Sequence, residues 1–265
     1  MSDTKYYLQH LARALQVLFV FSAQRSEWSL EDLASELSLN KTSLLRIVRT
    51  LEQERFLLKR DQVYRLGPRV LELANVYLST LTVHRVAQPY MQKLAQACQQ
   101  TVSLATLEGT EVVYIAIEQA QREVGIQSEI GGRHPAHATA LGKVMLADFE
   151  DQDVLELYEG KDLVRLTHRT IVEPEKLIDR LQEVRKLGYA LDDEERGIGI
   201  RCIAAPIYAR TGRVIAGLSL AGPIFHMTED VIPTYQAALL EATSGISDEL
   251  GYDTPAEDAE LVLSA

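Results

Sequence analysis

Thr42, Arg46, Arg49 and Gln53 recur at intervals of four, three and four residues, and each can donate a hydrogen bond. At about 100° per residue they share one face of a helix, with Leu44, Ile47, Val48 and Leu51 on the opposite stripe. A helix that turns its apolar side to its own domain and a row of hydroxyl, guanidinium and amide donors outward suits a DNA groove, where base edges and phosphates accept. Lys41 and Ser43 stand beside Thr42 at the start of this face.

Other residues could do different chemistry. His134 and His137, three apart, could place two nitrogens on one metal; Pro135 lies between them and no third ligand accompanies them. They read better as groups that cap and order a loop, and no metal is assigned. Cys202 could be a nucleophile, but no His/Asn pairing is suggested nearby. Within Arg201-Cys202-Ile203-Ala204-Ala205 it fits equally a packed thiol and one that touches a pocket. The acidic run Asp192-Asp193-Glu194-Glu195 reads as a solvated loop from which only Asp192 is singled out. Gly131-Gly132, Gly197 and Gly199 fit turns, not a phosphate cradle. No catalytic residue and no cofactor is assigned.

The donor face needs elements to present it. Upstream, Ser29 is an N-cap with Asp32 in the first turn, and Leu30, Leu33, Ala34 and Leu37 follow at helical spacing. That helix stops near Ser38-Leu39-Asn40, and Thr42 and Ser43 open the next. Downstream, residues 56–60 and 63–66 form a hairpin pattern around Asp61-Gln62, a weaker turn signal than Asn-Gly. Two helices, a short turn and a wing make a winged helix-turn-helix, with Lys59, Arg60 and Arg65 placed against the sugar-phosphate backbone. A first helix, residues 7–21, would pack behind it through Leu8, Leu11, Leu15 and Leu18. After Gly67-Pro68, a helix over residues 68–82 is apolar on several sides, which predicts cover by a second copy or a neighbouring domain.

Charge supports the same division. The 265 residues carry −11 overall, but residues 1–80 hold 11 basic and 9 acidic side chains, a balance of +2, and the remainder 16 and 29, a balance of −13. Residues 38–69 hold 8 basic against 3 acidic. A local basic patch on an acidic chain fits a regulator that touches DNA at one end and excludes a general nucleic-acid coat. Cys98 and Cys202 form no CxxC pattern, so a reduced, cytoplasmic protein is expected. No signal-peptide h-region and no run of about 18 apolar residues is present, so no membrane partner is expected.

From residue 83 the pattern is α/β. A helix over 85–99 precedes strand-like runs 102–107, 112–118 and 124–128, the first two joined through Gly109-Thr110 and therefore antiparallel. A loop, residues 131–137, leads to helices over 139–149, 151–158 and 173–187. Strands over 202–208 and 214–221 and a closing helix over 228–250 follow, and the tail beyond 251 is acidic.

At this point RHPAHATALGKVMLA (residues 133–147) and GYALDDEERGIGIRCIAAPIYARTGRVIAGLSLAGP (residues 188–223), together with the helix-turn-helix, make the chain resemble the IclR family of bacterial transcriptional regulators over residues 5–251. The resemblance implies an α+β protein: a winged helix-turn-helix domain (5–67), a linker helix (68–82), a GAF-like antiparallel-sheet effector domain (83–251) and an acidic tail (252–265). It implies a ligand-responsive regulator, commonly a repressor, that binds double-stranded operator DNA as a homodimer or dimer of dimers. It also points to a small carboxylate effector held by Thr139 and Ala140 on one side and Asp192 and Cys202 on the other. Backbone N–H groups at a helix start favour such an anion, while Asp192 would order the site or accept from a ligand hydroxyl. The alternatives are an enzyme built on Cys202 or the histidines, and a regulator whose second domain only oligomerises.

Overall fold

The computed structural model describes residues 7–22, 24–80, 82–119 and 128–252. Contacts divide the chain into two units, Met1–Thr80 and Leu81–Ala265. Among the described residues no helix is long and apolar enough to cross a membrane.

The first unit runs α1 (Gln9–Phe19), β1 (Trp28–Ser29), α2 (Leu30–Glu36), α3 (Lys41–Gln53), β2 (Leu57–Arg60), β3 (Val63–Leu66) and α4 (Pro68–Thr80). Its core is Val17, Trp28, Leu33, Leu44, Val48, Leu57 and Tyr64, so α1, α2, α3 and the wing share one apolar centre. Ser29 caps α2 as its sequence predicts, its Oγ accepting from the Asp32 N–H at 3.1 Å. α3 opens at Lys41, one residue before Thr42, and Asn40 caps it: its Oδ1 accepts from the Ser43 N–H at 2.7 Å. The wing gains a third strand, since β1 pairs antiparallel with β3 and the sheet order is β1-β3-β2. Gly67 ends the wing where a Cβ would stand 2.1 Å from the Arg55 carbonyl oxygen, so only glycine allows this close return.

The expected packing of α1 is corrected. Ala14, Val17 and Leu18 meet the core, whereas Leu8, Leu11 and Leu15 are exposed. The apolar residues of α1 outnumber the positions on its inward stripe, so of the four leucines that the spacing picked only Leu18 faces the core.

The second unit runs α5 (Thr82–Cys98), β4 (Thr101–Glu108), β5 (Glu111–Glu118), β6 (Arg133–Pro135), a 3-10 turn (Ala136–Ala138), α6 (Ala140–Leu146), α7 (Asp151–Tyr158), α8 (Pro174–Leu187), β7 (Ala190–Asp193), β8 (Ile200–Tyr208), β9 (Val214–Pro223) and α9 (Ile232–Glu249). The six strands form one antiparallel sheet in the order β6-β5-β4-β9-β8-β7. Alternation along the strands turns Ala105, Tyr114, Cys202, Ala204 and Ala221 toward α6, with α8 and α7 beyond it, and α5 and α9 pack on the sheet from the other side.

Three differences from the sequence reading concern short elements. The stretch 131–137 holds β6 and the 3-10 turn, and residues 190–193 form the edge strand β7. α9 starts at Ile232, after turns at 228–231. Of the strand expected at 124–128, residues 124–127 lie outside the described residues, as does the tail from 253.

Candidate functional site

Two sites emerge, one in each unit. On α3 the burial of Leu44, Ile47, Val48 and Leu51 fixes the helix rotation, and Thr42, Arg46, Arg49 and Gln53 are exposed together on the far side. Among the described residues no ion pair engages Arg46, Arg49 or Arg60. The other basic residues expected at DNA are not equivalent to these. Lys41 pairs with Glu31 of α2, and Arg65 pairs with Glu27, just before β1. Lys59 stands opposite Tyr64 across the wing, its Nζ 5.6 Å from the ring centre. Ser43 is half-buried, its N–H taken by Asn40. The candidate interface therefore presents two guanidiniums on α3 without an ion pair among the described residues, with Lys59 and Arg60 on the wing.

In the second unit, β7 and β8 place Asp192 directly across from Cys202, beneath α6. Thr139 and Ala140 begin α6, and both are buried. The Thr139 Oγ1 accepts from the Gly142 N–H at 3.0 Å, so the hydroxyl is already used in capping its own helix. Gly142 is required there, because a Cβ would meet the backbone of Ala136 at 2.1 Å. The strand rows beneath are small: Cys202, Ala221 and Thr101 are cross-strand neighbours, and so are Ala204, Ser219 and Ser103.

The acidic run is not a solvated loop. Asp192 is 1% exposed and Glu195 is buried. Asp192 Oδ1 accepts the N–H groups of Glu195 at 2.8 Å and Arg196 at 3.2 Å, which sets the β7–β8 turn, while its Oδ2 is buried without a partner among the described residues. Burial pushes this carboxyl up to about 6 against the pull of Lys143. Asp193 binds Arg169 and Arg201, and Glu194 accepts from the Gly199 N–H at 2.7 Å. Glu195 pairs with Lys143 of α6, which is fully buried and also donates to the Leu191 carbonyl at 3.1 Å. Thr167 and Thr170 tie the turn from outside, donating to the carbonyls of Glu194 at 2.7 Å and Glu195 at 2.6 Å.

Arg196 is the residue that sequence reasoning missed. Its half-buried guanidinium donates to His134 Nε2 at 2.9 Å and faces the Tyr114 hydroxyl at 3.4 Å. Arginine only donates, so His134 accepts through Nε2 and carries its proton on Nδ1. Burial, helped by Arg196, pushes His134 down to about 4 and keeps it neutral. His137 instead turns its Nε2 to the Val164 carbonyl at 3.1 Å. The two rings thus serve separate partners, and among the described residues no group of three potential metal ligands occurs. Burial pushes the Cys202 thiol far up, the reverse of what a nucleophile needs. One signal for the buried ion pair was present: Lys143 is the only charge in the apolar run Ala140–Leu146, and such a lysine demands a buried partner.

Comparison with known proteins follows the same two-part division. Residues 10–61 match the family model described as the IclR helix-turn-helix domain, and residues 75–248 the one described as bacterial transcriptional regulator IclR C-terminal. The chain is 32% identical over 247 residues to the HTH-type transcriptional regulator XynR of Escherichia coli K12, covering 92% of this chain and 98% of that protein. It is 28% identical over 244 residues to the transcriptional repressor IclR of the same organism, covering 91% and 89%. Among solved structures, an IclR homolog from Microbacterium hydrocarbonoxydans complexed with 4-hydroxybenzoate matches with a TM-score of 0.81 and 30% identity, covering 91% of this chain and 99% of that one.

Proposed function

The chain belongs to the IclR family of bacterial transcriptional regulators, and on that premise we propose that it is a repressor whose hold on its operator changes when a small organic acid occupies the C-terminal domain. The domains are read as DNA-binding (5–67), linker helix (68–82) and effector-binding (83–251), and the protein works in the cytoplasm as a homodimer or dimer of dimers. The observation that carries the DNA reading is the exposed face of α3, where Arg46 and Arg49 have no ion pair among the described residues while the apolar stripe is buried. Lys41, Thr42, Ser43 and Gln53 complete the helix contribution, and Lys59, Arg60 and Arg65 that of the wing.

Effector binding is assigned to Thr139, Ala140, Asp192 and Cys202, supported by the floor of small side chains and the unpartnered Asp192 oxygen beneath α6. The 4-hydroxybenzoate held by a solved relative supports an organic acid as the ligand class. A metabolite can shift the operator equilibrium only if it binds the two conformations unequally. No catalytic role is assigned, since the thiol that an enzyme reading would use is buried and held protonated.

Gel-shift titration on operator and scrambled DNA tests the reading. Arg46→Ala and Arg49→Ala should each cost about 1–3 kcal/mol on the operator if they contact base edges. Lys59→Ala and Arg60→Ala should weaken both DNAs alike. Unchanged operator affinity in the Arg46→Ala, Arg49→Ala double variant would remove α3 as the reading helix.

A further inference from the structure

Around the β7–β8 turn Asp193, Glu194 and Glu195 each meet a cation, yet Arg196 meets no carboxylate among the described residues. Asp193 serves Arg169 and Arg201, Glu194 serves Gly199 and Arg169, and Glu195 serves Lys143. Arg196 follows directly and has no carboxylate among the described residues, only the neutral acceptors His134 and Tyr114. A half-buried guanidinium gives up part of its hydration, and neutral acceptors do not return the charge interaction that was lost. Each of its terminal nitrogens still has an N–H to give, and so does Nε. A planar fork held in place with donors left over is suited to a carboxylate.

The complementary group is Asp192. Its Oδ1 holds the Arg196 backbone, so the acid and the guanidinium are fixed by the same turn. Its Oδ2 is buried and has no partner among the described residues, and Asp192 is in register with Cys202, next to the row of small side chains. Glu195 Oε2 is also unpartnered, although the charge of Glu195 is met by Lys143. A buried acceptor without a donor is costly and asks for one from a ligand. A hydroxyl meets Asp192 in either protonation state, donating to the carboxylate or accepting from the acid; a carbonyl meets only the acid.

We propose that Arg196 and Asp192 together select a hydroxy-carboxylic acid, Arg196 holding the carboxylate and Asp192 Oδ2 the hydroxyl. The proposal rests on the reading of the α6 face as the effector site. His134 and Tyr114 act as positioning residues that aim the guanidinium.

Calorimetric titration of the full chain tests this with two probe sets of matched skeleton, 4-hydroxybenzoate, benzoate and phenol, and 3-hydroxybutyrate and butyrate. In at least one set the hydroxy acid should bind the parent protein about tenfold or more tighter than the acid lacking the hydroxyl. Arg196→Gln should lose about tenfold or more for the acids of that set, with Arg196→Lys recovering part of the loss, because the charge returns without the fork. The urea unfolding midpoint of the full chain measured for both variants separates lost binding from lost folding, and a midpoint equal to the parent's in Arg196→Lys with partial recovery of acid binding excludes a merely structural role. If no acid binds the parent protein, the organic-acid reading falls and the proposal with it. If acids bind the parent and Arg196→Gln equally, that reading stands and this proposal is overturned. Equal affinity for hydroxy and plain acids in both sets overturns the part assigned to Asp192.

Discussion

Asp192 is held by its surroundings at the edge of ionisation. Burial raises its carboxyl to about 6, while Lys143 from α6 and the N–H groups of Glu195 and Arg196 draw it down, and Glu195 raises it again. Cys202 across the strand pair stays a thiol. An anionic ligand placed at Arg196 occupies the neighbouring cation and adds a like charge, so it pushes Asp192 further up. The sign follows by linkage: the complex binds more protons than the free protein, so affinity is full below about 6 and falls as pH rises through the higher value of the complex. Binding of 4-hydroxybenzoate should therefore take up protons, which titrations in buffers of different ionisation enthalpy would reveal, and Asp192→Asn should abolish the uptake. A proton count of zero in the parent protein would contradict this. The opposing role of His134, which is neutral in the fold, is to keep its nitrogen an acceptor for Arg196 at every pH above about 4.

At the scale of elements, α6 joins the sheet through apolar contacts and one buried charge. Lys143→Met leaves Glu195 uncompensated beneath the helix and should destabilise the domain by about 3–5 kcal/mol, whereas Lys143→Met with Glu195→Leu should recover much of the loss. Urea unfolding of the four combinations measures the coupling; additive losses would show that the pair does not act as a unit. This pair also explains what the sequence did and did not disclose. The helix pair and the wing were legible because their apolar periods and caps are local, as Ser29 and the stripe through Leu44, Ile47, Val48 and Leu51 show. The acidic run misled because its partners arrive from elsewhere: Lys143 lies 52 residues before Glu195. β6 and β7, of three and four residues, are too short and too polar to show a period, and register with β5 and β8 makes them strands. Arg196 escaped notice for the same reason, since only folding brings it to His134, 62 residues away.

At the scale of the whole molecule, the first unit leaves Leu8 at the start of α1, Leu11 and Leu15 within it, and Leu71 and Leu73 of α4 exposed. Exposed leucines on two helices of one small domain favour cover by a second copy, and two copies supply two recognition helices to inverted half-sites about 10 bp apart or a multiple of it. Light scattering at micromolar concentration should give at least a dimer, and Leu11→Glu with Leu15→Glu should weaken it; a monomer that protects one unrepeated half-site would contradict both. The wing carries a further consequence for such a complex. On the proposed interface, Arg65 would meet DNA already holding Glu27. A basic residue normally contributes to affinity by displacing condensed cations from phosphate, which makes log K fall with log salt by about 0.9 for each contact. When Arg65 exchanges Glu27 for a phosphate, the pair that breaks is itself weakened by salt, which offsets part of the salt dependence of the new contact. The wing should therefore show a shallower salt dependence than three free cations would give, and Glu27→Gln should steepen it while raising affinity most in dilute salt. Parallel salt plots for the parent and the variant would show that Arg65 keeps Glu27 when DNA is bound.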